Sequence, residues 1–186
     1  GGLTKAGGGT LTFGANTANY TGGTFITGGK FWLYYGNNKL PTTGDVTVEA
    51  GGTLDLAHSN NPGTVQTVGR LLGSGTVNIG TTGKSVNLVV GNGDVSSTFS
   101  GSIANGSGTV SLTKTGTGRL TLTGASSYSG GTAVNAGQLN VQNDAALGTG
   151  AASVAGGATL ELQNNVTVAG VPLTVSPSSL DGMLRN

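Results

Sequence analysis

Two stretches of this 186-residue chain are versions of one another. Leu3 to Leu56 opens LTKAGGGTLTF and closes GGTLDL, and Leu112 to Leu162 opens LTKTGTGRLTL and closes GGATLEL. Between those ends the pattern Tyr-x-Gly-Gly-Thr recurs, at Tyr20 to Thr24 and at Tyr128 to Thr132. The offset falls from 109 residues at the start to 106 at the end, because the first copy carries small insertions. A repeated unit too small to close its own core has to stack on its neighbour. The organisation expected is a single unit over 1–170, with related halves at 3–56 and 112–162 joined by a bridge at 57–111, then a tail at 171–186.

The secondary structure expected is all β. Apolar-polar-apolar triplets recur at Leu11–Phe13, Val46–Val48, Leu54–Leu56, Val77–Ile79, Val86–Leu88, Leu120–Leu122, Leu139–Val141 and Leu160–Leu162. Successive strand residues face opposite ways, so each triplet turns two apolar side chains to one side. Glycine, 37 of 186 residues, is concentrated between the triplets, where it supplies the positive-φ positions of tight turns. No segment has helical periodicity. Two architectures fit this rhythm, a sandwich or jelly roll and a β-solenoid. Short strands, small glycine-rich corners and a long repeat that maps onto whole coils favour the solenoid. At about 20 to 25 residues per coil it makes roughly eight coils, about 40 Å long at a strand spacing of about 4.8 Å.

Composition excludes several functions. The net charge is +1 and the eight basic residues are dispersed, which gives nucleic acid no footprint. No apolar run reaches the length of a spanning helix, so this segment is not expected to insert into a membrane. The opening GGLTKAGGGT has neither a basic nor an apolar leader region, so a mature chain or a piece of something longer is expected. Cysteine is absent, which removes disulfides and thiol metal sites.

The motifs resemble a known family. L-T-K-x-G-x-G-x-L-T, then Y-[TS]-G-G-T and the closing Thr-Leu-acid-Leu, are similar to the autotransporter-associated β-strand repeat of bacterial passenger domains. The bridge shares the likeness at Thr67–Thr76 (TVGRLLGSGT) and Ser97–Gly108 (STFSGSIANGSG). The resemblance implies a right-handed parallel β-helix, secreted and held at the bacterial surface. It implies a stalk without catalytic residues or cofactors.

Candidate chemistry in the residues themselves is sparse. Gly80-Thr81-Thr82-Gly83-Lys84-Ser85 ends like a phosphate-binding loop, but Asn78 stands where the motif needs glycine and a strand pattern follows. His58, the only histidine, is expected in a solvated turn, and a triad with Asp55 and Ser59 lacks support. Asp45, Glu49 and Asp55 are the one local concentration of acids, the minimum for a β-helix carbohydrate-active enzyme. Gly91-Asn92-Gly93-Asp94 reads as a plain turn.

The informative departure between the copies is Lys30-Phe31-Trp32-Leu33-Tyr34-Tyr35, aligned with Gln138 to Asn143. Phe31 and Leu33 match Leu139 and Val141 and point inward, so Trp32 and Tyr34 replace Asn140 and Gln142 on the outside. Exposed aromatics mark a contact. Lys30, Trp32, Tyr34 and Tyr35 are therefore contact candidates, for a glycan or another copy of the chain. The alternative is cover by the inserted Asn16-Thr17 region or by a neighbouring loop. In the tail, Val171, Leu173 and Val175 alternate and can form a last coil, a cap or an arm to another subunit. A solenoid has open ends, so the partners expected are further coils of the same polypeptide or a homo-oligomer. The functions weighed are a secreted structural solenoid, a glycan-binding adhesin module and, last, an enzyme.

Overall fold

The computed structural model describes residues 1–14, 17–34, 36–58, 63–176 and 183–185, the side chains at 57–58 and 183–185 excepted. Its described elements are all strands. The first copy supplies β1 (Leu3–Lys5), β2 (Thr10–Phe13), β3 (Thr24–Ile26), β4 (Gly29–Tyr34), β5 (Val46–Val48) and β6 (Gly52–His58). The bridge supplies β7 (Thr64–Val68), β8 (Leu71–Gly73), β9 (Thr76–Ile79), β10 (Ser85–Val90), β11 (Ser97–Phe99) and β12 (Ser102–Gly106). Then come β13 (Thr109–Lys114), β14 (Arg119–Leu122), β15 (Thr132–Val134), β16 (Gln138–Val141), β17 (Ala152–Val154) and β18 (Thr159–Leu162). β19 (Leu173–Val175) and β20 (Met183–Arg185) close the chain.

These strands form three parallel sheets, the three faces of a right-handed β-helix. Face one has the order β1-β3-β5-β8-β11-β14-β16-β18-β20, face two β12-β9-β6-β4-β2, and face three β19-β17-β15-β13-β10-β7. The nine strands of face one mark eight coil intervals. A coil takes as few as 19 residues (Leu120 to Leu139) and as many as 27 (Ile79 to Gly106). Every predicted triplet lies in a strand, and its apolar residues line the axis. On face one the inward ladder runs Ile26, Val48, Gly73, Phe99, Leu122, Val141. Each large aliphatic or aromatic residue in this column contributes about 1.5–3 kcal/mol by leaving water.

The repeat does not map onto whole coils, contrary to expectation. β1 and β2 lie on faces one and two, but their counterparts β13 and β14 lie on faces three and one. The second copy is turned by one face about the axis. The cause is visible in the connections. The first copy spans face three with loops, the bridge has strands on all three faces, and the second copy spans face two with loops. A strand-corner-strand unit fits any adjacent pair of faces, so the pattern survives the turn. The loops still stack, as in the hydrogen bonds from Ser127 N to Ile103 O (2.9 Å) and from Thr149 N to Tyr128 O (2.9 Å).

The recurring residues have structural roles. The lysine of Leu-Thr-Lys shares the inward phase of its strand and is buried in both copies. Lys5 Nζ donates to Ala6 O, Gly7 O and, one coil on, Gly28 O at 2.8, 2.7 and 2.9 Å. Lys114 Nζ donates to Thr115 O, to Gly116 O (2.9 Å) and to Ala136 O (3.3 Å). Each ammonium thus ties a corner to the corner above it. Burial lowers the pKa of Lys114, and the Asp94 carboxylate opposes the shift. The tyrosine of Tyr-x-Gly-Gly-Thr bonds the threonine four residues on, at 2.6 Å in both Tyr20–Thr24 and Tyr128–Thr132. Gly29 and Gly137 sit at matching corners with φ of +66° and +64°. A Cβ on either would lie 2.4 Å from a carbonyl oxygen of the coil below, so neither corner admits a side chain.

Candidate contact surface

The aromatic departure lies on the outer side of face two. In register along the stack, Trp32 sits between Thr12 and Asp55, and Asn78 follows Asp55. Phe31 and Leu33 are buried in the core, and Trp32 and Tyr34 point the other way. Both aromatics are half-buried, because they pack on one another with ring centroids 5.0 Å apart at 61°. The register between β4 and β6 shifts between Trp32 and Tyr34, bringing Tyr34 opposite His58. Such a bulge re-aims the side chains around it.

Lys30 Nζ donates to Asp55 Oδ2 at 3.1 Å, and Gly80 N donates to Asp55 Oδ1 at 2.9 Å. Asp55 projects outward yet is 2% exposed, since the Gly80–Thr81 turn of the next coil closes over it. The Asn78 Oδ1 beside it is buried and has no hydrogen-bond partner. What remains open is a groove of about 280 Å3, lined by Thr10, Lys30, Trp32, Asp55, Gly80 and Thr81. The sequence alternation groups Lys30, Trp32 and Tyr34 on the outer side of β4, and the structure has them there. The alternation misses Thr10, Gly80 and Thr81, which come from the coils below and above. Their signal was the coil spacing, which places Thr10 and Gly80 near β4 and β6 once the stacking is known. Tyr35 and Asn16 lie outside the described residues, and Thr17 is exposed.

The same positions in the second copy look different. Gln138 Nε2 and Asn140 Nδ2 donate to Glu161 Oε2 at 2.9 and 2.7 Å. Gln142 Nε2 donates to Asn140 Oδ1 at 2.8 Å and to Gln163 Oε1 at 3.1 Å. Arg119 Nε donates to Gln138 Oε1 at 2.6 Å, and Arg119 Nη2 lies 3.7 Å from Glu161 Oε2. Asn140 is fully buried beneath this net. In both copies the recurring acid, Asp55 or Glu161, takes a hydrogen bond from the residue one coil earlier. In the first copy, two aromatics replace two members of the net and a groove opens.

The other candidate residues lie at the C-terminal end of the column, about 30 Å away at the spacing of stacked strands. β19 pairs with β17 and is part of a last coil, with Leu173 over Ala152 and Val175 over Val154. Leu173 and Val175 are 42% and 39% exposed, and Val171 is half-buried. Val171 and Leu173 help line an apolar hollow of about 190 Å3 with Leu147, Ala152, Leu160, Leu162 and Val168.

The remaining motifs resolve into architecture. Gly80 to Lys84 is a turn leading into β10, a strand and not a helix. Backbone assignment puts His58 at the end of β6 and not in a turn, because β6 extends to pair with Tyr34; Ser59 lies outside the described residues. Asp45 pairs with Arg70 on face one, far from the Asp55–Lys30 pair on face two, so the three acids do not converge. Asp94 accepts from Thr117 N at 2.7 Å and Asn92 donates to Thr42 O at 3.1 Å, as turn residues do. Among the described residues no group of three or more His, Cys, Asp or Glu could hold a metal ion.

Comparison with known proteins accords with this geometry. The passenger-associated transport repeat matches residues 3–31 and 112–141, the opening two strand pairs of each copy. An adhesin, the BmaC autotransporter of Brucella suis biovar 1, is 32% identical over 177 residues. That alignment covers 75% of this chain, and the chain spans 5% of the relative's length. No solved structure matches. Repeat motif, stacked coils and adhesin relative agree: both copies in this chain are built on the autotransporter passenger repeat.

Proposed function

We propose that this chain is a length of the stalk of a surface-exposed or secreted passenger, structural in role, whose ends stack on further coils or on another copy. The observation that carries the reading is the exposed apolar side of β19. Leu173 and Val175 hold inward register positions and remain exposed above an apolar hollow. A following coil would cover them. A structural role is supported by the recurring lysine and acid, each used to tie one coil to the next, and by the recurring tyrosine, which fastens its own turn to the threonine four residues on. Stacked parallel coils transmit load through backbone ladders and give length at low sequence cost, as a stalk requires.

The test has two parts. Antibody against the chain, applied to intact producing cells, should label the surface or the medium; label confined to the cell interior refutes the location. Sedimentation of the purified chain should show end-to-end association that disappears in the Leu173→Lys, Val175→Lys double variant. Association unchanged by those lysines means that the C-terminal end is not the stacking surface.

A further inference from the structure

We propose that the groove on face two is a subsite for one ring of a neutral saccharide, seated on the Trp32 indole. The inference goes beyond the stalk reading and does not depend on it.

Size comes first. About 280 Å3 falls just short of the usual range for drug-sized ligands and suits a single sugar ring. Chemistry comes next. Trp32 offers an apolar surface to the C–H side of a pyranose, and Tyr34, edge-on at 5.0 Å, fixes the indole before any ligand arrives. Around it stand groups that suit hydroxyls: Lys30, whose side chain is 44% exposed, and the lining residues Thr10 and Thr81. Asp55 acts through Lys30. Held by Gly80 N and almost fully covered, it fixes the ammonium at the groove and is therefore a positioning residue.

Charge then selects among ligands. Lys30 and Asp55 neutralise one another at 3.1 Å, so the groove carries no net charge and gives no advantage to an anionic sugar or a phosphate. Finally, the molecule contains its own control. On the second copy the equivalent surface is closed by the Gln138, Asn140, Gln142 and Glu161 net, which has no aromatic platform. One groove and not two is therefore expected per chain.

Trp32 is the only tryptophan, so its fluorescence reports this groove alone. The probes are neutral tetrasaccharides of glucose, galactose, mannose and N-acetylglucosamine, titrated into the full chain. At least one should shift the emission saturably. Calorimetry with that sugar should then show roughly tenfold or greater weakening in Trp32→Ala, the scale of one lost stacking contact. Lys30→Met should weaken it less, and Asn140→Ala should leave it unchanged. Circular dichroism establishes that each variant is folded; because Trp32→Ala removes an outward side chain, the core remains, and Trp32→Phe supplies a milder substitution if needed. No response to any of the four sugars overturns the proposal. So does binding undiminished in Trp32→Ala. Emission that shifts with protein concentration and not with sugar also overturns it, and makes this face a contact between copies.

Discussion

Replacing Lys114 by methionine isolates the lock that the repeat builds into its corners. The side chain is 1% exposed and its ammonium serves three carbonyls, two in its own corner and one in the next. Methionine fills much the same volume and supplies no donor. Each carbonyl left without its partner costs about 1 kcal/mol at the lower end of the usual range, or about 3 in all. Removing a desolvated charge returns part of that. The net loss expected is about 2 kcal/mol, which for a chain of this size lowers Tm by about 4–8 °C. Lys5→Met removes the equivalent contacts from a lysine that is less completely covered, 6% exposed against 1%, so its loss should be smaller. Thermal unfolding followed by circular dichroism measures both. If Lys114→Met melts at or above the wild-type temperature, the buried ammonium is a burden tolerated by the fold and not a tie between coils.

Three further outcomes are expected. Gly137→Ala places a Cβ 2.4 Å from Gly116 O at a φ of +64°, whereas Gly157→Ala meets only the cost of its φ of +80° with nothing within 4 Å; urea unfolding should show the first to be the more destabilising, by at least about 1 kcal/mol. The Arg70 guanidinium holds the Asp45 carboxyl below its ordinary 3.8. The unfolded chain therefore binds more protons in the interval just below 3.8, so this pair stabilises the fold above that pH and its contribution fades as pH falls through the lowered value; Asp45→Asn should flatten that acid limb, and an unchanged limb would show that the pair is too solvated to matter. Tyr128→Phe removes the buried 2.6 Å bond to Thr132 and should cost about 1–2 kcal/mol by chemical denaturation, more than Tyr20→Phe, whose tyrosine is more exposed.

The residues declared the coil and concealed its orientation. Leu54-Asp55-Leu56 or Leu120-Thr121-Leu122 states a strand because alternation has a period of two, and two apolar side chains have only one dry place to go. Nothing in those triplets says which face they occupy. The corners that join faces one and two have the same backbone needs as those that join three and one, as the matching glycines at 29 and 137 show. The turn of the second copy arises instead from the bridge, where strands replace loops on the third face.

Burial of charge was legible only in part. Lys114 shares the phase of Val110 and Leu112, so alternation alone turned it inward, against the general preference of lysine for water. Asp55 shows the opposite failure. Its phase turned it outward correctly, but its cover comes from Gly80 and Thr81, a full coil later. The same applies to the groove. Lys30, Trp32 and Tyr34 are close in sequence and were found together; Thr10, Gly80 and Thr81 are close only after the chain has wound. In a solenoid, then, what a residue does within its strand can be read locally, while what covers it depends on the coil length. That length ranges here from 19 to 27 residues. The ladders keep their register all the same, so the loops absorb the differences in length. The aromatic groove should therefore be far less tolerant of a one-residue insertion within β4 or β6, which slides one coil's outer side chains past the next, than of the same insertion in the loops between them.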